Sequence, residues 1–161
     1  MSDSQKKLYV LEKINKGIVM KKIVLIILLG STLFAEFTRN NQIVNDSNTK
    51  LQWIDNEILS KSWIDSIIYC ENLSFGGNVD WRLANIQELL SLVGGKDVKS
   101  SSYPNSLNNI FQNGSESDKY WSSTSVDNQN MRAYYLESRY GSINSSIKSS
   151  IYKVRCVRDI P

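Results

Sequence analysis

The sequence predicts an α+β domain in which two short helices precede a β-meander. Three observations carry this: two helix-start signatures, each followed by an apolar stripe; strand-like segments filling the last third; and long polar stretches between them. At 161 residues with 41% apolar content, the chain has room for one ordinary domain and enough hydrophobic material for a core. No repeat or heptad divides it, and only Pro104 and Pro161 interrupt it. One domain is expected within residues 36–161, structured from about Ile43 to Asp159.

The first element is a short strand at Lys50-Leu51-Gln52-Trp53, where Leu51 and Trp53 alternate with polar neighbours. Ser62, with Asp65 three positions on, is a capping pair and predicts a helix from Trp63 to about Asn72. Trp63, Ile67 and Cys70 fall at i, i+4 and i+7, flanked by Ile64 and Ile68, so the cysteine faces inward. After the Gly76-Gly77 turn and Asp80-Trp81-Arg82-Leu83, Asn85 and Glu88 announce a second helix with the stripe Ile86, Leu89, Leu90 and Val93. Gly94-Gly95 supplies its left-handed stop.

Residues Lys96 to Asp118 read as long loops with one helical turn at Leu107 to Phe111, and loops of this length are often binding regions. The meander then runs through Tyr120–Ser123, Met131–Glu137, a turn at Arg139-Tyr140-Gly141, Ser142–Ile147 and Ile151–Val157. Tyr152, Val154 and Cys156 share one face of that last strand, so the second cysteine also points to the core.

Ahead of this domain, Lys21-Lys22, the apolar run Ile23 to Leu29 and the small-residue stretch ending at Ala35 have the order of a secretory signal peptide over 20–35, cleaved between Ala35 and Glu36. The apolar run is shorter than the roughly 20 residues of a membrane span, so no stable span is expected after cleavage. Residues 1–19 are either an upstream extension, with translation starting at Met20, or an extended Lys-rich signal n-region. The expected address is the periplasm, cell surface or extracellular space. In such a place two inward cysteines, with no other in the chain, argue for a Cys70–Cys156 disulfide, contributing about 4 kcal/mol in the chain-entropy picture. Two free buried thiols are the alternative.

Composition restricts chemistry. The chain has no His, which removes the commonest general base and metal ligand together, and two cysteines so far apart make no zinc or iron–sulfur spacing. Six of the nineteen basic residues but only Asp3 and Glu12 among the acids precede residue 36, leaving 13 basic against 14 acidic beyond it. A near-neutral body without a basic run is not expected to bind nucleic acid. Glu116, Asp118, Asp127 and Asn128 offer oxygen ligands but match no calcium-loop pattern, so neither metal nor cofactor is expected.

Candidate ligand-binding residues are Arg132, Tyr134, Arg139 and Tyr140 around the hairpin, where rings and guanidinium groups can hold a glycan or a sulfated or carboxylated chain. A solvated hairpin face is the competing reading. For Trp53, Trp63, Trp81 and Trp121 core packing outweighs sugar stacking, and Arg82 with Glu88 reads as a brace for the second helix rather than as catalytic machinery.

Segments in order across the chain resemble the Lcl C-terminal domain family, named after the C-terminal domain of a Legionella collagen-like adhesin. They are Val44-x-Asp46-x-x-Thr49-x-Leu51-x-Trp53, Trp63, Tyr69-Cys70, Asp80-Trp81-Arg82-Leu83, Asn85-x-x-Glu88-Leu89, Tyr120-Trp121-Ser122-Ser123-Thr124 and Val154-Arg155-Cys156-Val157-Arg158. Ala84 stands where the family usually has Pro. The resemblance implies a C-type-lectin-like fold, with two helices, a twisted, mostly antiparallel sheet and a disulfide from first helix to last strand. Fold alone does not give function. The expected role is an exported, non-enzymatic binding or adhesion module for a glycan or cell-surface partner. A relative of the formylglycine-generating enzymes and a structural envelope protein are the alternatives. Intact-mass measurement of the precursor is expected to show a chain beginning at Met20; one beginning at Met1 contradicts that reading of the start.

Overall fold

The last predicted strand does not run through as one piece, and its break divides the domain into two sheets where one was expected. The computed structural model describes residues 37–56, 58–94, 102, 103, 106–115 and 117–161. The proposed extension 1–19, the signal peptide 20–35, the Ala35–Glu36 cleavage point, Gly95 and Glu116 lie outside the described residues.

The first sheet takes β1 (Phe37–Asn40), β2 (Ile43–Asp46), β3 (Leu51–Ile54), β5 (Arg82–Leu83) and β10 (Cys156–Asp159) in the order β1-β2-β3-β10-β5, all antiparallel. The second takes β4 (Ser60–Lys61), β6 (Lys119–Val126), β7 (Gln129–Glu137), β8 (Ser142–Ile147) and β9 (Tyr152–Lys153) in the order β4-β9-β6-β7-β8. Among the described residues, only β6 and β9 pair in parallel. With helices α1 (Trp63–Glu71) and α2 (Ile86–Leu90), the architecture is α+β.

Both helix-start signatures form. Ser62 accepts from the Asp65 amide, and Asn85 and Glu88 close a capping box by accepting each other's backbone amide. α1 buries Cys70 and Ser66, whereas Ile64 and Ile68 stand 54% and 49% exposed, so its apolar flank is narrower than the sequence pattern indicated. α2 ends at Leu90, a turn before Gly94, because the chain leaves the helix to bridge Val93 to Leu107. That bridge, and a turn in which the Phe111 amide donates to Asn108, replace the helical turn expected at Leu107–Phe111.

Period-two alternation puts adjacent residues into different cores. Val44, Trp53, Val157, Tyr120 and Leu136 join Leu89, Leu107 and Phe111 in one; Ile54, Cys156, Leu83, Trp121 and Tyr135 join Cys70 and Trp81 in the other. Three of the four tryptophans are buried and Trp63 is half-buried, each of the three indoles at Trp63, Trp81 and Trp121 donating to a backbone carbonyl of another segment.

The break in the last strand centres on Val154-Arg155. Arg155 turns inward, 1% exposed, and donates to Asp55 Oδ1 at 3.1 Å, to the carbonyls of Ile54 and Asn113 and to the Tyr120 hydroxyl. Asp55, fully buried, also pairs with Arg39 and accepts from the Gln112 and Asn113 amides. Burial pushes the Tyr120 phenol above its ordinary range, the Arg155 charge opposing it. Gly114 (φ 103°) completes the knot, since a Cβ there would come within 2.1 Å of the Tyr120 hydroxyl. One residue further on, Cys156 is bonded to Cys70 with the Cα atoms 5.5 Å apart.

Removing one partner of a buried ion pair leaves an uncompensated charge. Asp55→Ala is therefore expected to lower unfolding stability by about 3–5 kcal/mol in urea titration. Asp159→Ala, which removes an exposed carboxylate beside Arg82, is expected to cost less than about 1 kcal/mol in the same measurement.

Candidate functional site

The structure separates the four residues singled out in the sequence. Arg132 and Tyr134 lie on β7, where Arg132 donates to the Ser145 carbonyl and hydroxyl across the β7–β8 ladder. Arg139 and Tyr140 lie in the turn that follows β7, five and six residues beyond Tyr134. There Tyr103 packs edge-on against Tyr140 at 5.4 Å and under the Arg139 guanidinium at 5.1 Å. Two of the four residues thus lie on the strand and two in the turn that follows it.

Among the described residues, three further clefts stand out. One of about 310 Å³ is bordered by Glu88 and Asp159, but both carboxylates are engaged by Arg82, which holds Glu88 bidentately at 2.8 Å and Asp159 at 3.4 Å. Burial acts to raise the Glu88 carboxyl, and hydrogen bonds from Arg82 and the Asn85 amide outweigh it, leaving it below its ordinary range. This is the helix brace read from the sequence. A second cleft, about 560 Å³, opens between β4, α1 and Ile151, and Ile68 and Ile151 give it a shallow apolar border.

The third cleft, about 420 Å³, has the most organised lining. It lies where the β1–β2 hairpin, the β2–β3 surface and the turn after α1 meet. Asn40, Asn41, Gln42, Asn45 and Gln52 contribute five side-chain amides, and Ile43, Phe75 and Gly76 the apolar part. Asn41 occupies the hairpin turn at φ 54°, a conformation Asn tolerates better than most residues. Phe75 is set by a two-residue turn through Gly76 and Gly77, both at positive φ, with reciprocal backbone hydrogen bonds between Phe75 and Asn78. At Gly76 a Cβ would also come within 2.6 Å of Ile43 Cδ1, so glycine lets the turn close over the cleft floor. Trp81 braces Phe75, its indole donating to the Phe75 carbonyl at 3.1 Å and its ring meeting Phe75 edge-on.

The polar wall has a fixed direction. Asn45, Gln52 and Arg158 are direct cross-strand neighbours on β2, β3 and β10. Arg158 donates from Nε to Asp80 at 2.7 Å and from a terminal nitrogen to Gln52 Oε1 at 2.6 Å, and Gln52 Nε2 donates to Asn45 Oδ1 at 2.8 Å. Guanidinium can only donate, so it orients the Gln52 amide, which orients the Asn45 amide, and Asn45 Nδ2 is left as a donor. The hydrogen bond from Arg158 holds the Asp80 carboxyl below its ordinary range despite partial desolvation. Among the described residues, no group of His, Cys, Asp and Glu is arranged to hold a metal.

None of the cleft's amides was picked out from the sequence. The signal was four amides in six positions, Asn40-Asn41-Gln42-Ile43-Val44-Asn45, a density that reads as ordinary turn composition until the fold sets Gln52 and Phe75 beside it.

Fold and site together define a small disulfide-closed α+β domain with a preorganised, uncharged cleft. The Lcl C-terminal domain profile matches residues 42–158, and the chain belongs to that family. Comparison with curated proteins gives no match.

Because the folded Asp80 has a depressed pKa, its contact with Arg158 is present above the ordinary carboxylate value and lost only as pH falls through the depressed one. The side-chain amide resonances of Gln52 and Asn45 are therefore expected to stay fixed from pH 7 to about pH 4 and to move together below it. A joint transition centred between about pH 4 and pH 7 contradicts this wiring.

Proposed function

We propose that this chain is an exported, non-enzymatic binding or adhesion module that recognises a glycan or another cell-surface ligand, on a C-type-lectin-like variant of the α+β fold. The observation that carries the reading is the cleft between the β1–β2 hairpin and Phe75: amides of fixed polarity beside a braced aromatic ring form a recognition surface without a nucleophile or general base. The absence of His from the sequence and the engagement of both cysteines in the Cys70–Cys156 bond support a binding role over a formylglycine-type one. That bond, joining the first helix to the last strand, also supports the lectin-like arrangement and passage through an oxidising compartment. Among the described residues, no helix is long and apolar enough to cross a membrane.

The test is binding of the exported chain to glycan arrays and to intact cell surfaces, with its disulfide-reduced form as a control. Saturable binding by the oxidised chain to at least one surface or glycan class is expected; no binding across both formats contradicts the reading.

A further inference from the structure

We infer that the amide cleft takes an uncharged, vicinally hydroxylated ring, a neutral sugar residue, and that Asn45 Nδ2 is a selecting donor. This inference rests on the binding-module reading and narrows it to one site and one ligand chemistry.

The charge pattern comes first. Every lining residue of the cleft is uncharged, and Arg158, the cation bonded to the lining Gln52, is already engaged by Asp80. A sulfate or carboxylate entering here would lose its water without gaining a free cation, which is costly. A neutral polyol meets no such penalty. Its hydroxyls both donate and accept, and primary amides offer both functions in one plane, so an amide can engage two adjacent hydroxyls at once.

The second observation is the supply of open hydrogen-bonding groups. Among the described residues, the side chains of Asn40, Asn41 and Gln42 have no hydrogen-bond partner, and Asn45 uses only its oxygen. All four border the same cavity. The third is apolar: Phe75 and Ile43 are half-buried, and the Phe75 ring is fixed by its turn and by Trp81. A pyranose ring carries a C–H face suited to an aromatic surface, whereas its hydroxyl edge faces the amides. A volume of about 420 Å³ lies at the small end of ligand sites and suits one or two rings. An extended peptide would also satisfy amides, but Asn45 and Gln52 come from the paired strands β2 and β3 and the edge strand β1 contributes its last residue, Asn40, so little of the unpaired edge, where peptide recognition normally gains its backbone bonds, borders the cleft.

Asn45→Asp provides a near-isosteric test with the full exported chain. It keeps an oxygen to accept from Gln52 and exchanges the ligand-facing N–H for an oxygen. Phe75→Leu removes the aromatic face while retaining an apolar side chain. Probes are immobilised neutral oligosaccharides of hexose and N-acetylhexosamine, sulfated and uronate-bearing chains, and unmodified extended peptides, with thermal unfolding recorded for every variant.

Binding to at least one neutral oligosaccharide is expected, weakened about tenfold or more by each substitution at unchanged unfolding temperature. It should change less than about twofold between roughly 0.05 and 0.5 M salt, because no ion pair is formed. Binding confined to sulfated or uronate chains, falling with salt and indifferent to Asn45→Asp, overturns this site while leaving the binding-module reading intact. So does binding confined to peptides. Absence of binding to every probe overturns both this site and the recognition of glycans. If a variant loses its unfolding temperature, Asn40→Ala, on the exposed hairpin, replaces it under the same criteria.

Discussion

Arg155 carries a full charge into the core, and the Asp55 carboxylate meets it there, both side chains almost wholly excluded from water. An isolated buried charge costs several kcal/mol even after relaxation, so the surroundings are organised to satisfy it. Asp55 recruits Arg39 from β1 and two backbone amides from the 106–115 loop; Arg155 recruits two carbonyls and Tyr120, and packs its guanidinium over the Phe111 and Tyr120 rings. The pair therefore fastens three segments far apart in sequence: the hairpin, the central loop and the terminal strand.

The terminal strand then distributes its residues in several directions. Tyr152 and Lys153 close the second sheet, Arg155 supplies the buried charge, Cys156 bonds α1, Val157 fills the first core, and Arg158 orients the amides of the cleft. The cleft's polarity thus originates in the same short segment that anchors the fold. A recognition surface built in this way needs little reordering when a ligand arrives, which is how preorganisation raises affinity without adding contacts.

Much of the frame was legible in the sequence because local physics determined it. Ser62 with Asp65 and Asn85 with Glu88 marked the helix starts, and Cys70 fell on the inner side of its helix. Strand β8 kept its predicted limits, Ser142–Ile147, because its neighbours are turn residues on both sides. What the pattern hid has a common cause. Pairs such as Tyr120-Trp121 and Cys156-Val157 feed two cores at once, so continuous apolar runs concealed the division into two sheets. Arg155 in the middle of such a run is readable as buried only when Asp55, a hundred residues away, is set beside it. The cleft was illegible for the same reason: Asn45, Gln52 and Arg158 become neighbours only through the pairing of β2, β3 and β10.

The central claim is that the buried Asp55–Arg155 pair fastens the loop and hairpin into a single rigid frame. Native-state hydrogen exchange at the Gln112 and Asn113 backbone amides, the donors to Asp55, tests it most directly. The account predicts protection at both amides approaching that of the slowest β6–β7 core amides, although they lie in a loop. Exchange at free-loop rates, with the core still protected, would contradict it.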